Sequence, residues 1–257
     1  MRKYRAIILA AGQGTRLRPL TDNIPKCMVE INEKPLLKWQ IETFNRCGIK
    51  DIVVVTGYKR EKIPEYDIIN VYNEDYAVTN MIISLFCAEK YIEGDVIISY
   101  GDIIYSDKVL KLLIENKRDI VIASDEEWQN YWETRCENPL TDVETFIKGE
   151  DQKVQSLGQE PDSLAEIEGQ FIGLIKLSGK GCRIIKKIYY DCMNSQHCKN
   201  NAWNSNRSLR SAYMTDLMNY LAGLGKLHYN KINRGWFEID NHKDLKIANE
   251  HINYLMN

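Results

Sequence analysis

The chain has 257 residues, 44% of them apolar and 27% charged, and a formal net charge of −2. That length and composition suit a folded chain with a sizeable core and exclude a disordered one. Lys and Arg are dispersed, which argues against a nucleic-acid surface, and no apolar run approaches the ~20 residues of a membrane span.

The N-terminal half alternates strand-like and helix-like segments. Residues 5–11 are an apolar run that breaks at Gly12; they read as a buried strand and are too short for a signal peptide. Residues 35–47 read as a helix, with Pro35 near its start, Leu37, Ile41 and Phe44 on one face, and Gly48 to end it. Strands are expected at 51–55 and 68–71, a helix at 81–91, and a strand at 96–99 running into Tyr100-Gly101-Asp102. Ser106 is placed to cap a helix whose Val109, Leu110, Leu112 and Leu113 face inward, and 119–123 is the next strand. This alternation predicts an α/β fold, a Rossmann-like, mostly parallel sheet with helices on both faces.

The second half is less regular. Residues 128–169 are polar, aromatic and acidic and are expected to form short strands and loops over one end of the sheet. A strand at 170–177 and a helix at 179–192 follow. Residues 196–211, rich in Asn, Ser and Arg, read as a long loop of the kind that often forms a lid. A short helix at 215–221 and strands at 227–232 and 236–240 precede a last helix. That helix is capped by Asn241 and carries Leu245, Ala248, Ile252 and Leu255 on one stripe. The chain is expected to be one domain, 1–257, with 128–169 and 196–213 as cover segments. The seven cysteines are odd in number and lack any CxxC, which predicts reduced thiols in a cytoplasmic protein. The grouping Cys182, Cys192, His197, Cys198 fits no standard zinc spacing.

Chemistry enters with Leu9-Ala10-Ala11-Gly12-Gln13-Gly14-Thr15-Arg16-Leu17-Arg18-Pro19-Leu20-Thr21, followed by Pro25-Lys26. The motif follows a strand, where a parallel sheet opens a ligand crevice. Glycines let backbone N–H groups approach phosphate oxygens, and Arg16, Arg18 and Lys26 supply positive charge. A lone GxG would be read as a tight turn. A P-loop is excluded because no Gly-Lys-Ser/Thr follows, and the dinucleotide fingerprint fails where its third glycine would be Leu17. A dinucleotide-binding oxidoreductase, the alternative from another class, also lacks its ribose-binding acid about 20 residues further on. Asp102 and Asp240 each end a predicted strand, where a metal-binding carboxylate is useful at the crevice, although either alone reads as a turn. Glu238, two residues before Asp240, is expected on the same strand face.

The loop and its following Pro-Lys closely resemble the signature of the sugar-phosphate and choline-phosphate nucleotidyltransferase superfamily, with a GT-A-like fold. The segment 73–85, with Thr79 and Asn80, is similar to that of the choline-phosphate cytidylyltransferase-like branch, although Met81 stands where a second Asn is frequent. The resemblance implies that Leu9, Ala10, Ala11, Gly12, Gly14, Thr15, Arg16, Thr79, Asn80 and Gly101 bind the nucleotide. It implies that Lys26 stabilises charge at the α-phosphorus, that Arg16 holds the β/γ-phosphates, and that Asp102 and Asp240 hold Mg²⁺. The implied reaction transfers a nucleotidyl group, CMP from CTP in this branch, to a small phosphorylated metabolite and releases pyrophosphate. In the sugar-nucleotide branch a lysine holds the sugar phosphate where this chain has Glu160. That substitution favours an amino-bearing acceptor, such as L-glutamine phosphate in capsule phosphoramidate synthesis or choline phosphate. Glu160, Glu168, Gly173 and Glu238 are then the expected acceptor residues, with 128–169 and 196–213 on the acceptor side. Arg207, Arg210 and Arg234 are candidates for an acceptor carboxylate. A sugar-1-phosphate nucleotidyltransferase using UTP or dTTP is the alternative within the class.

Overall fold

A computed structural model describes residues 3–256. In chain order the elements are β1 (Tyr4–Ala10), the short hairpin β2 (Glu30–Ile31) and β3 (Lys34–Pro35), α1 (Leu36–Arg46), β4 (Asp51–Thr56), β5 (Ile69–Tyr72), α2 (Met81–Cys87), β6 (Asp95–Tyr100), β7 (Ile103–Tyr105), α3 (Asp107–Glu115) and β8 (Ile120–Asp125). They continue with α4 (Trp128–Arg135), β9 (Phe146–Lys148), β10 (Val154–Leu157), β11 (Gln170–Leu177), α5 (Gly179–Asn194), α6 (Gln196–Asn200), α7 (Met214–Gly223), β12 (His228–Ile232), β13 (Trp236–Glu238), α8 (His242–His251) and α9 (Asn253–Met256). Among the described residues no helix is long and apolar enough to cross a membrane.

The main sheet runs β12-β8-β11-β6-β1-β4-β5. Its pairs are parallel except around β11, which is antiparallel to both β6 and β8. The expected mostly parallel sheet is therefore present. Each strand sends alternate side chains to opposite faces. Ala6 and Ile8 enter a core with α1, α3 and α8, whereas Ile7 and Leu9 enter a second core with α2, α5 and α7. Ser106 caps α3 by accepting from Val109 N, and Asn241 caps α8 by accepting from Lys243 N and Asp244 N, as their positions predict.

Several expectations change. Leu112 is 37% exposed, because the buried stripe of α3 is set by Val109, Leu110 and Leu113. The helix expected over 81–91 stops at Cys87 and gives way to a 3-10 turn, Glu89–Tyr91. The segment 128–169, expected as strands and loops, opens with α4, which buries Trp128, Tyr131, Trp132 and Arg135. The loop expected at 196–211 contains α6 and a 3-10 turn, Ala202–Asn204. The thiols are not all reduced: Cys192 and Cys198 form a disulfide, while Cys27, Cys47, Cys87, Cys136 and Cys182 are free. Ser195 ends α5 and caps α6, folding the chain back so that the two Cα atoms are 4.9 Å apart, within bridging range.

Asp125, at the end of β8, fixes where β13 starts. Its Oδ2 accepts from Arg234 Nη1 at 2.7 Å and Trp236 Nε1 at 2.8 Å, and its Oδ1 accepts from Arg234 N at 3.0 Å. The carboxylate is fully buried. Asp125→Ala removes a buried anion and leaves its donors unpaired, so a stability loss of about 3–5 kcal/mol is expected in urea unfolding. A loss below about 1 kcal/mol would mean that Asp125 does not anchor this junction.

Candidate active site

The C-terminal ends of β1 and β6 meet at one crevice. Gly101 N donates to Leu9 O at 2.9 Å, and a Cβ on Gly101 would lie 2.6 Å from that oxygen, so only glycine permits this approach. The crevice, about 160 Å³ and open to solvent, is lined by Leu9, Ala10, Ala11, Gly12, Lys26, Cys27, Tyr76, Thr79, Asn80, Met81, Ser84, Tyr100, Gly101 and Asp102. The expected nucleotide residues Leu9, Ala10, Ala11, Gly12, Thr79, Asn80 and Gly101 are thus brought together. Thr79 accepts from Asn73 Nδ2 at 3.1 Å and donates to Asp75 O at 2.8 Å. Asn80 caps α2, accepting from Met81 N, and its own N–H donates to Arg210 O, which ties the 196–213 segment to the crevice. Tyr76 and Ser84 belong to the segment 73–85 that carries the resemblance, whereas Cys27 and Tyr100 had no role assigned from sequence.

Gly14, Thr15 and Arg16 do not line the crevice but reach it through their neighbours. Gly14 adopts φ +67, and a Cβ there would sit 2.9 Å from Lys26 Cβ, so the loop packs directly on the lysine stem. Thr21 Oγ1 locks the turn by donating to Gly14 O at 2.8 Å. Lys26 Nζ donates to Asp102 Oδ2 at 2.7 Å and also to Asp240 Oδ1. Arg16 Nη2 lies 3.0 Å from Asp240 Oδ2. Residues far apart in sequence therefore converge as their motifs implied. Burial alone would lower the Lys26 pKa, but Asp102 and Asp240 outweigh it and hold the ammonium above its usual range. Burial would raise Asp240, and Lys26, Arg16 and Arg135 together hold it below the usual carboxylate range. Asp102 Oδ1 is buried without a hydrogen-bond partner among the described residues.

Asp240 lies two residues beyond the end of β13, so it does not share a strand face with Glu238 as expected; a turn fixes it instead. Asp240 N and Asn241 N both donate to Asp244 Oδ2, at 3.0 and 3.2 Å. Asp244 is in turn held by Arg135, whose Nε and Nη2 donate to its two oxygens. Arg135 Nη1 donates to Glu238 Oε2 at 2.7 Å, and Nη2 stands 4.0 Å from Asp240 Oδ2. Burial raises the Glu238 pKa and the Asp240 and Asp102 carboxylates add to it, opposed by Arg135. Arg135, on the helix that sequence did not anticipate, is thus the cation behind the acidic pair.

The remaining acceptor candidates separate. Gly173, at φ +80, faces the Tyr100 ring: a Cβ there would come within 2.6 Å of Tyr100 Cγ. Glu160 and Glu168 are exposed and do not line the crevice, and Glu168 accepts from the Lys148 amide. Arg234 is committed to Asp125, Arg210 to Asp75 and Arg207 to Asp216. A carboxylate outside the expected set, Glu144, accepts from Thr215 Oγ1 at 3.4 Å. Burial raises its pKa to about 7. Burial also raises the Tyr100 phenol, with Glu144 the strongest charge acting on it, ahead of Asp102, Glu238 and Asp216.

Cations and carboxylates that converge beside an open crevice at the strand ends suit a polyphosphate bound together with a divalent cation. Comparison with known proteins agrees. The MobA-like NTP transferase domain matches residues 6–162. The chain is 35% identical over 260 residues to the CTP:phosphoglutamine cytidylyltransferase of Campylobacter jejuni, covering 95% of this chain and 99% of that one. It is 38% identical over 107 residues to the choline-phosphate cytidylyltransferase of Streptococcus pneumoniae, covering 40% of this chain and 47% of that one. The structure of the Streptococcus pneumoniae CTP:phosphocholine cytidylyltransferase superposes with a TM-score of 0.72 at 24% identity, covering 98% of this chain and 100% of that one. The chain belongs to the MobA-like NTP transferase family and is a nucleotidyltransferase.

Proposed function

We propose that this enzyme transfers CMP from CTP to a small, amino-bearing phosphate, with phosphoglutamine as the favoured acceptor, and releases pyrophosphate. The observation that carries the reading is the meeting of Lys26, Arg16, Asp102 and Asp240 at one crevice. CTP and phosphoglutamine are the substrates named for the Campylobacter jejuni relative, which is similar along almost the whole chain. A cytoplasmic site of action and a part in making capsule precursors belong to the same proposal, as do single-domain organisation and 128–169 and 196–213 as acceptor-side covers.

Mg²⁺ fits the residues present. Asp102 and Asp240 offer hard oxygen ligands, and Asp102 Oδ1 is a buried acceptor awaiting a partner. Among the described residues no group of three or more His, Cys, Asp or Glu side chains forms a metal cage. Mg²⁺ ordinarily takes one or two carboxylates and completes its shell with phosphate and water. When bound, it supplies Lewis-acid neutralisation of the reacting phosphates. The protein's own work is placement. Gly12 and Gly14 bring backbone amides towards the triphosphate, Lys26 balances charge on the α-phosphoryl oxygens, and Arg16 holds the departing end. An acceptor phosphate oxygen forms the new bond to the α-phosphorus. The bond to the bridging oxygen breaks, and pyrophosphate leaves with that electron pair. A phosphate monoester is nucleophilic enough near neutral pH that no side-chain base is needed.

Glu144 supports a cationic acceptor. No salt bridge to it is found among the described residues, its charge acts on Tyr100 of the crevice, and burial keeps its ionised form costly for want of a close counter-charge, although Arg207 opposes the shift. An α-ammonium would supply that charge. Glu144 takes over here the role expected of Glu160 and Glu168.

Pyrophosphate release, measured for four nucleoside triphosphates against phosphoglutamine, phosphocholine, phosphoethanolamine and glucose 1-phosphate, tests the reading; CTP with an amino-bearing phosphate should lead. A preference for UTP or dTTP with glucose 1-phosphate would overturn it. Lys26→Ala and Asp102→Ala should each lower kcat/KM by about 10²-fold or more with unchanged circular dichroism. Near-normal rates in either variant contradict the assigned roles.

Glu144 also predicts a pH effect. Its folded pKa lies above its unfolded value, so its contribution to stability is full at low pH and is lost as pH rises through about 7. Glu144→Gln should therefore gain Tm over the parent protein at about pH 8.5 but not at about pH 5, and should raise the KM of the amino-bearing phosphate roughly tenfold. Equal Tm differences at both pH values, with unchanged KM, would remove Glu144 from the acceptor site.

A further inference from the structure

Lys26 and Arg16 are phosphate ligands in the proposed reaction, yet in this structure both rest on the carboxylates assigned to the metal. Lys26 Nζ binds Asp102 Oδ2 and Asp240 Oδ1, and Arg16 Nη2 lies 3.0 Å from Asp240 Oδ2. The fourth oxygen, Asp102 Oδ1, is buried and has no hydrogen-bond partner among the described residues. The acidic pair is thus nearly saturated by protein cations.

We infer that Lys26 and Arg16 are exchangeable counter-ions that keep a divalent cation off Asp102 and Asp240 until a triphosphate draws them away. The inference rests on the proposed nucleotidyl transfer and deepens it by fixing how donor and metal enter. A metal arriving alone must displace an ammonium that bridges both carboxylates, leaving the largely buried Lys26 with no anion. An uncompensated buried charge is strongly disfavoured. A triphosphate arriving with the metal changes the balance, because the two cations pass to phosphate oxygens while the carboxylates pass to the metal. Every charge keeps a partner through the exchange. The fold links the two events mechanically. The glycine loop that would wrap the phosphates packs on the lysine stem, with the missing Gly14 side chain making room for Lys26 Cβ. Arg16, on that same loop, pairs with Asp240 through a side chain that is 62% exposed. Nucleotide and metal should therefore strengthen each other's binding by the same factor.

The test uses Mn²⁺ without nucleotide, its bound fraction read from loss of the free aquo-ion electron paramagnetic resonance signal, with the full chain. Lys26→Met should bind Mn²⁺ roughly tenfold more tightly than the parent protein, and Lys26→Met with Asp240→Asn should lose that gain. Arg16→Ala, at an exposed position that tolerates change, should give about a threefold gain and keeps the test decisive if Lys26→Met does not fold. Equal or weaker Mn²⁺ binding in the single variants overturns the exchange. If the parent protein still releases pyrophosphate from CTP in that case, only the exchange falls. If it neither releases pyrophosphate nor binds Mn²⁺, the functional proposal falls with it.

Discussion

Two carboxylates brought together in a partly buried crevice repel each other, and water is too scarce there to screen them. Asp102 and Asp240 stand within reach of one ammonium because Lys26 sits between them. Much of the surrounding structure maintains that arrangement. Lys26 follows Pro25, which stands just before the short 3-10 turn Lys26–Met28, and its stem lies against Gly14. Asp102 follows the end of β6, where Gly101 lets the chain pass tightly over Leu9. Asp240 arrives from the far end of the chain and needs separate fixing.

That fixing comes from a second layer of paired charge. Arg135 grips Asp244 through two nitrogens, Asp244 grips the backbone of Asp240, and Asp125 aligns the start of β13 through Arg234 and Trp236. Buried ion pairs of this kind add little net stability compared with apolar packing, yet each is costly to break. Their value here is positional, since the acidic pair is held at a definite separation before any ligand arrives. The aromatic cluster of Tyr131, Trp132 and Trp236 excludes water from Arg135 and leaves it few alternative partners.

The parts of this design that rest on local chemistry could be read from sequence. The glycine loop, Lys26, Asp102 and Asp240 carry residue types and spacings that few other structures need, and the helix caps at Ser106 and Asn241 are local by nature. What depended on tertiary context could not be read. Helix α4 buries Trp128, Tyr131, Trp132 and Arg135, at i, i+3, i+4 and i+7, and exposes Gln129, Asn130, Glu133 and Thr134; the stripe is short and ends on an arginine whose burial only Glu238 and Asp244 explain. The direction of β11 leaves no trace in its apolar run, because parallel and antiparallel buried strands share one pattern. Cys192 and Cys198 meet only because Ser195 folds α6 back on α5. Glu144 belongs to no motif at all, and its meaning comes entirely from what surrounds it.

The charge distribution also gives the proposed reaction a direction. On the donor side, Lys26 and Arg16 are available to phosphate oxygens. On the other side the charges of Glu144, Asp102, Glu238 and Asp216 all act on the Tyr100 phenol and raise its pKa. A phosphate approaching from the acidic side alone would be repelled. One that carries its own ammonium brings Glu144 a closer cation than Arg207 and can place its anionic end towards Lys26. The two ends of such an acceptor are then sorted by the field, and its phosphate is aimed at the α-phosphorus without a dedicated cation on the acceptor side. A sugar phosphate has no ammonium to offer to Glu144. In the proposed acceptor site, selectivity therefore follows from one carboxylate, Glu144, that has no salt bridge among the described residues.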